Sequence, residues 1–160
     1  MDLLIYLKES AFSQWLSISM AGFPLLIALH SVGMAVAVGM SLMVTLRLHG
    51  LIAEISLQRL PRLLGVAVAG FVLNLVTGLA LFITRGPEYA ASYMFLFKMA
   101  LVAVGAVILM WLSRHSRIAL PDADALADDA IARNVSLAGT AVLFGAVVAG
   151  RLIAYLSDLY

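Results

Sequence analysis

Between Pro24 and Arg47 the chain passes through 22 residues, 25–46, and His30 is the only ionisable one among them. At 1.5 Å rise per residue a helix over such a run is ~33 Å long, enough to cross the hydrocarbon core of a bilayer. A histidine in that setting must find a partner, a metal or a cofactor, or else stay neutral. The run has three companions. Residues 63–84 carry no charge and a single amide, Asn74; residues 93–113 contain Lys98; residues 135–157 contain Arg151. Composition agrees, with 64% hydrophobic and 12% charged residues. A soluble domain has about 45–50% apolar and about 25% charged residues, so this chain reads as an integral membrane protein.

The first twenty residues are too short and too polar to span. Leu3, Leu4, Leu7, Ala11, Trp15 and Ile18 fall on one helical stripe, while Lys8, Glu9, Ser13 and Ser17 fall mostly elsewhere. This predicts an amphipathic helix over 1–20 lying in the headgroup region, with Trp15 as its interface anchor. No charged-then-apolar signal layout precedes a cleavage site, so the segment is expected in the mature protein. Gly22 and Pro24 then open the first span, proline suiting a first turn. The expected architecture is one membrane domain over 1–160. It is all-α, an antiparallel four-helix bundle with spans at about 25–46, 63–84, 93–113 and 135–157, preceded by the interfacial helix.

The links are short. Arg85-Gly86-Pro87-Glu88 reads as a turn. The link over 114–133 contains Pro121 with Asp122, Asp124, Asp128 and Asp129, and is expected to carry a short surface helix. Arg47, Arg59, Arg62, Arg114, Arg117 and Arg133 lie on the links between spans 1–2 and 3–4, whereas only Lys8 and Arg85 lie on the other side outside the spans. Six against two places those two links in the cytoplasm. Both termini then face outward, which for a bacterial inner membrane is the periplasm.

Helix direction brings the three intramembrane ionisable residues to one level. His30 and Lys98 each lie five residues into an inward-running span, and Arg151 lies six residues before the end of an outward-running one. All three sit roughly 7–9 Å below the outer hydrocarbon boundary. A cation at a helix centre costs about 2.5–3.5 kcal/mol on insertion scales. Lys98 and Arg151 can reduce that by snorkelling outward, and His30 can remain a neutral imidazole bonded to a neighbouring helix. The other reading is that two cations and an imidazole surround an anionic group beside His30. No carboxylate lies within the spans. A haem meets the requirement, since histidine ligates the iron and the propionates need cationic partners. Small-residue stripes make room: His30, Gly33, Ala37 and Ser41 on the first span, and Gly70, Asn74, Thr77 and Gly78 on the second. The same stripes permit close helix packing with no ligand. Met34, one turn from His30, can complete a haem or copper ligand pair. His49 and His115 fall at the cytoplasmic ends of spans 1 and 3, at headgroup level, where a second site between them is conceivable.

Other chemistries are excluded or disfavoured. The chain has no cysteine, which rules out a disulfide, an iron–sulfur cluster or thiolate-ligated haem within it. It has no nucleophile–base pair at one level for hydrolysis and no basic surface for nucleic acid.

With these residues in view, the chain resembles a family of small, uncharacterised bacterial four-helix inner-membrane proteins. The segments that carry the likeness are FPLLIALHSVGMAVAVG, LRLHGL, VTGLALF and FLFKMALV, between Phe23 and Val104. That family is similar in layout to HemJ-type protoporphyrinogen oxidases and, more distantly, to CopD-like copper-resistance membrane proteins. In the HemJ type a first-span histidine and a third-span lysine are the functional residues. His30 looks like the former, Lys98 like the latter, and Thr77-Gly78 matches the second span. The resemblance implies haem b. The expected function is therefore a b-type-cytochrome-like membrane protein binding haem or a porphyrin near the periplasmic face. His30 would be axial ligand and metal ligand, Lys98 second ligand or propionate partner, and Arg151 propionate clamp. Its work would be electron transfer between a quinone or membrane donor and a periplasmic redox partner, or porphyrin oxidation; as an enzyme it would be an oxidoreductase. The alternatives are a copper- or metal-handling protein and a cofactor-free scaffold subunit whose cations meet another chain's carboxylate. Four spans are few for enclosing a haem, so a homodimer is a further expectation.

Overall fold

The computed structural model describes residues 2–119, 126 and 128–156, and among these every regular element is helical. Two short helices, α1 (Asp2–Lys8) and α2 (Ala11–Ile18), precede the first long one, α3 (Gly22–Leu48). A 3₁₀ turn over Leu57–Arg59 leads into α4 (Leu60–Thr84), followed by the short α5 (Gly86–Ala90). The long helices α6 (Tyr93–Ile118) and α7 (Ala130–Leu156) complete the chain. By length and composition four helices can cross a membrane: Gly22–Leu48, Leu57–Thr84, Tyr93–Ile118 and Ala130–Ile153. Leu25, Val32, Val72, Val76, Val107 and Phe144 stand exposed on their surfaces. An apolar exterior of this kind suits lipid and would be an association surface in water.

The helices run further than the apolar runs that reveal them. Span 1 was expected over 25–46, yet α3 covers Gly22–Leu48; span 3 was expected to end at 113, yet α6 continues to Ile118. Hydropathy marks where lipid ends, whereas a helix stops where its terminal backbone groups find other partners. At the end of α3, Gly50 adopts φ 75°. Its N–H donates to the Arg47 carbonyl at 3.1 Å, and the Leu51 N–H donates to the Leu46 carbonyl at 2.9 Å. Those two bonds are the Schellman arrangement, and glycine takes the left-handed position at least cost. The Arg47 side chain then donates to the Ile55 carbonyl, holding the following loop to the helix end. At its start, α6 is capped by Ser92, whose hydroxyl accepts from the Phe95 N–H at 3.4 Å.

Helix α7 begins at Ala130 rather than at 135 because Asp129 caps it. One carboxylate oxygen accepts from the N–H groups of Ile131 at 2.8 Å and Ala132 at 3.1 Å. The other receives His115 Nε2 of α6 at 2.8 Å. The His115 ring in turn stacks on Trp111, with centroids 4.7 Å apart and planes 9° from parallel. The expected surface helix in this link falls largely outside the described residues.

Two further expectations are corrected. The N-terminal segment is two helices, not one. Ser10 separates them: its hydroxyl donates to the Leu7 carbonyl at 2.6 Å, closing α1, and accepts from the Ser13 N–H at 3.3 Å, capping α2. Ser13 and Leu16 are buried, while Phe12, Trp15 and Ile18 are exposed. The side of α2 turned to the protein therefore includes a serine from the supposed polar face. The 85–88 turn is instead the start of α5, with Pro87 in its first turn, where a missing N–H costs nothing.

The long helices pack as two sequence-adjacent pairs, α3 on α4 and α6 on α7, joined by α3–α7 and α4–α6 contacts. At the α3–α4 crossing, a Cβ added at Gly33 would lie 2.7 Å from the Asn74 nitrogen and 2.8 Å from the Gly70 carbonyl oxygen. One added at Gly70 would lie 2.9 Å from both the Ala37 nitrogen and the Gly33 oxygen. Backbone meets backbone there, so no side chain fits at either position. The α3–α7 contact is polar. Thr45 donates to the Ser136 carbonyl at 3.0 Å and pairs with the Thr140 hydroxyl at 2.8 Å. The densest core gathers at one end, where Val44, Leu48, Leu60, Leu64, Leu109 and Leu112 are buried together. The other end is open.

Two outcomes follow from these contacts. Gly33→Val should destabilise the protein by more than the usual ~1–3 kcal/mol of an overpacked site, because backbone blocks it. Gly65→Ala, with nothing within 4 Å of its added Cβ, should be neutral or stabilising by up to about 1 kcal/mol. Thermal unfolding in detergent compares them. Second, the cap bonds from Ala132, then His115, hold the Asp129 carboxyl below the usual carboxylate range. A carboxyl that titrates lower when folded stabilises the fold above about pH 4 and ceases to as acid protonates it. Asp129→Ala should cost about 1 kcal/mol at neutral pH, and the difference from the wild type should vanish on acidification. Paired melts at neutral and acid pH read this directly.

Candidate functional site

The open end contains a cavity of about 810 Å³ bounded by α3, α4, α5, α6 and α7. Its wall includes His30, Lys98 and Arg151, the three ionisable residues that depth arithmetic puts at one level. Met34 is also on the wall. Two side chains with no part in that arithmetic are there too: Arg85, from the end of α4, and Tyr89, from α5.

His30 is positioned by α4. Its Nδ1 lies 3.0 Å from Thr77 Oγ1 and 3.3 Å from Asn74 Nδ2, and Asn74 Nδ2 donates to the His30 carbonyl at 2.8 Å. The Thr77 hydroxyl has one proton, and its 2.7 Å approach to the Leu73 carbonyl uses it. In the 3.0 Å contact the hydroxyl oxygen is therefore the acceptor toward His30, which puts the imidazole proton on Nδ1 and leaves a lone pair on Nε2. The Asn74 amide nitrogen, a donor only, competes for the same ring nitrogen through the longer 3.3 Å approach, its stronger bond going to the His30 carbonyl. The tautomer is assigned from this hydrogen-bond chain. Gly78 provides space for the ring, since a Cβ there would come 3.0 Å from His30 Cε1. An imidazole oriented through Nδ1 with Nε2 available is the arrangement that metal-ligating histidines use.

Lys98 is placed by α7. Gly150 faces it, and a Cβ at that position would lie 3.3 Å from both Cε and Nζ of Lys98. Lys98 is half-buried, whereas Arg85 and Arg151 are exposed. Among the described residues the single ion pair outside Lys8 is His115–Asp129, so Arg85, Lys98 and Arg151 have no carboxylate partner there. One side of the cavity is aromatic. Phe95 stacks on Phe82 at 5.3 Å and 14° and on Tyr89 at 5.5 Å and 13°, a three-ring stack built from α4, α5 and α6.

The other histidines do not join this site. His49 Nδ1 donates to the Thr45 carbonyl at 2.8 Å, and His115 is taken up by Asp129 and Trp111. Among the described residues no group of three or more His, Cys, Asp or Glu is placed to hold a metal ion. His49 instead lines a larger groove of about 1100 Å³ between α3, α6 and α7. That groove is apolar and its walls include the exposed Leu42, Phe97 and Phe144. Its chemistry is that of a lipid-facing surface, and the smaller cavity is the one with functional groups.

The residues that sequence reasoning passed over are Arg85, Tyr89, Phe82, Phe95 and Gly150. Arg85 had a visible signal, a lone cation at the end of an uncharged span. The aromatic residues had none, because their stack depends on α5 folding back against α6. Comparison with known protein families, with curated proteins and with solved structures finds no match for this chain.

The hydrogen-bond chain generates a direct test. In protein labelled with ¹⁵N at the histidine rings, above the pH at which imidazole is charged, the His30 Nδ1 signal should be that of a protonated nitrogen and the Nε2 signal that of a bare one. Thr77→Val should abolish the preference and cost about 0.6 kcal/mol, the typical worth of such a bond in membrane helices.

Proposed function

We propose that this chain is a multi-pass protein of a bacterial inner membrane that binds haem b, or a related porphyrin, in the cavity at the outer end of its helices. On this reading the four long helices form an antiparallel bundle with both termini on the periplasmic side, and α1 and α2 lie at that interface. The observation that supports it is the meeting, at one cavity, of an imidazole with an available Nε2 and three cations that have no carboxylate partner among the described residues.

The donor set suits the group. His30 Nε2 would hold the iron, with Thr77 and Asn74 orienting the imidazole. Lys98, lying against Gly150, is the second ligand or a partner for a propionate, and Arg151 is the propionate clamp. The Tyr89–Phe95–Phe82 stack gives that side of the cavity an apolar, aromatic lining for a macrocycle. A bound haem supplies one-electron redox chemistry at a potential set by its axial ligands and surroundings. The chain's part is to orient the imidazole, neutralise the carboxylates and exclude lipid. Electron transfer between a quinone and a periplasmic acceptor, or oxidation of a porphyrin, are the activities consistent with that site.

Met34 on the same wall favours a second reading, copper handling by His30 and Met34. One preparation separates the two. Protein purified from haem-replete cells should show a Soret band with stoichiometric iron, and His30→Ala should remove or shift that band. Copper without porphyrin, lost in Met34→Ala, would establish the second reading. A wild-type spectrum with no Soret band, or one unchanged by His30→Ala, would overturn the first.

A further inference from the structure

Three cations border the cavity, and they stand in two kinds of surroundings. Lys98 is half-buried along α6, its ammonium against Gly150 of the neighbouring helix. Arg85 and Arg151 are both exposed, Arg85 one residue past the end of α4 and Arg151 near the end of α7. Neither guanidinium has a carboxylate among the described residues. The backbone of Arg85 is held on both sides. Its N–H donates to the Phe82 carbonyl at 3.2 Å, and its carbonyl accepts from the Tyr89 N–H at 3.1 Å. Those bonds join α4 to α5 and carry Phe82 and Tyr89 into the aromatic stack that walls the cavity. The stem of Arg85 therefore starts from a fixed corner beside that wall.

A guanidinium at such a corner has a narrow range of uses. Snorkelling toward headgroups explains any one cation near a membrane surface. It does not explain why the residue borders a cavity already lined by two other cations, since like charges around a shared space repel. Two guanidinium forks at the open edge match two carboxylates, because each can accept a bidentate pair.

We propose that Arg85 and Arg151 together hold a ligand bearing two separate carboxylates on an apolar, flat body, one guanidinium to each carboxylate. This deepens the porphyrin reading and rests on it. It assigns a direction to the ligand: the carboxylate edge lies toward the exposed mouth, the apolar body against the Tyr89–Phe95–Phe82 wall. Lys98 is thereby released from carboxylate binding and left to face the ligand's interior beside His30. A phospholipid with one phosphate and two flexible chains lacks the pair of anions that the two forks require, and cardiolipin, with two phosphates, lacks the rigid apolar body; neither responds to esterification of a porphyrin's carboxylates.

Iron-free protoporphyrin and its dimethyl ester test this in the full-length protein, because without iron the carboxylates act apart from ligation by His30. Wild-type protein, titrated by porphyrin fluorescence, should bind the diacid at least about tenfold tighter than the diester, the worth of one charge-assisted bond. Arg85→Gln should weaken diacid binding by about tenfold and leave the diester Kd unchanged; Arg85→Lys should fall between. Equal binding of diacid and diester by the wild type overturns the proposal without reference to any variant. So does an Arg85→Gln protein that binds the diacid as the wild type does. If haem still gives a His30-dependent Soret band in either case, the proposed function stands and this inference alone falls. If the wild type binds neither porphyrin nor haem, both fall.

Discussion

The contact on which the rest depends is the backbone crossing of α3 and α4 at Gly33 and Gly70. With a Cβ at either position the helices would have to part, since main-chain atoms of the opposite helix would lie 2.7–2.9 Å from it. Lipid offers no hydrophobic force between helices, so close van der Waals approach has to do what burial does in water. One turn from the crossing, Asn74 and Thr77 come within reach of His30, and Gly78 leaves space for its ring. The same few residues therefore pack two helices and orient the one intramembrane imidazole. A shift of α4 by a single turn would lose both.

The second organising feature is the difference between the two ends of the helices. At one end, aliphatic side chains from α3, α4, α6 and α7 fill the interior. Asp129, His115 and the Schellman turn at Gly50 fasten the connections there. At the other end small residues, Gly78 and Gly150, leave space that His30 and Lys98 occupy only in part. Rigid packing at one end is what allows an open cavity at the other without collapse, because a void costs contacts that the remaining structure must supply. Away from the cavity the polar groups are satisfied: among the described residues no fully buried side-chain nitrogen or oxygen lacks a partner.

Much of this was legible in the chain. Four apolar runs announced four long helices, since a run of that length and hydropathy has few other fates. His30, Lys98 and Arg151 were legible as a group, because helix rise and chain direction convert sequence position into depth. Helix ends were less legible. The chain leaves the apolar run before it leaves the helix, and the true stops at Gly50 and Asp129 depend on hydrogen bonds that hydropathy does not register. The N-terminal segment shows the same weakness. Its stripe of apolar residues suggests one helix, yet Ser10 ends one helix and caps the next. Arg85 was visible as a charge but not as part of the site, since a turn residue has no depth until the turn has a shape.

Taken alone, the amino-acid sequence determined the class of the fold, the number of long helices and the end of each helix at which His30, Lys98 and Arg151 sit. These are properties of one helix at a time, set by 1.5 Å of rise and by the cost of charge in lipid. Which faces meet was decided only in three dimensions. Rotation about a helix axis leaves composition and depth unchanged, so nothing in the chain distinguishes a His30 facing lipid from one bonded to Thr77. The glycine crossing settles that rotation for α3 and α4, and Gly150 does so for Lys98 against α7. The fold of α5 adds Arg85 and the aromatic wall. The histidine near the start of the first span thus has its position along the helix from the sequence and its orientation from the tertiary structure.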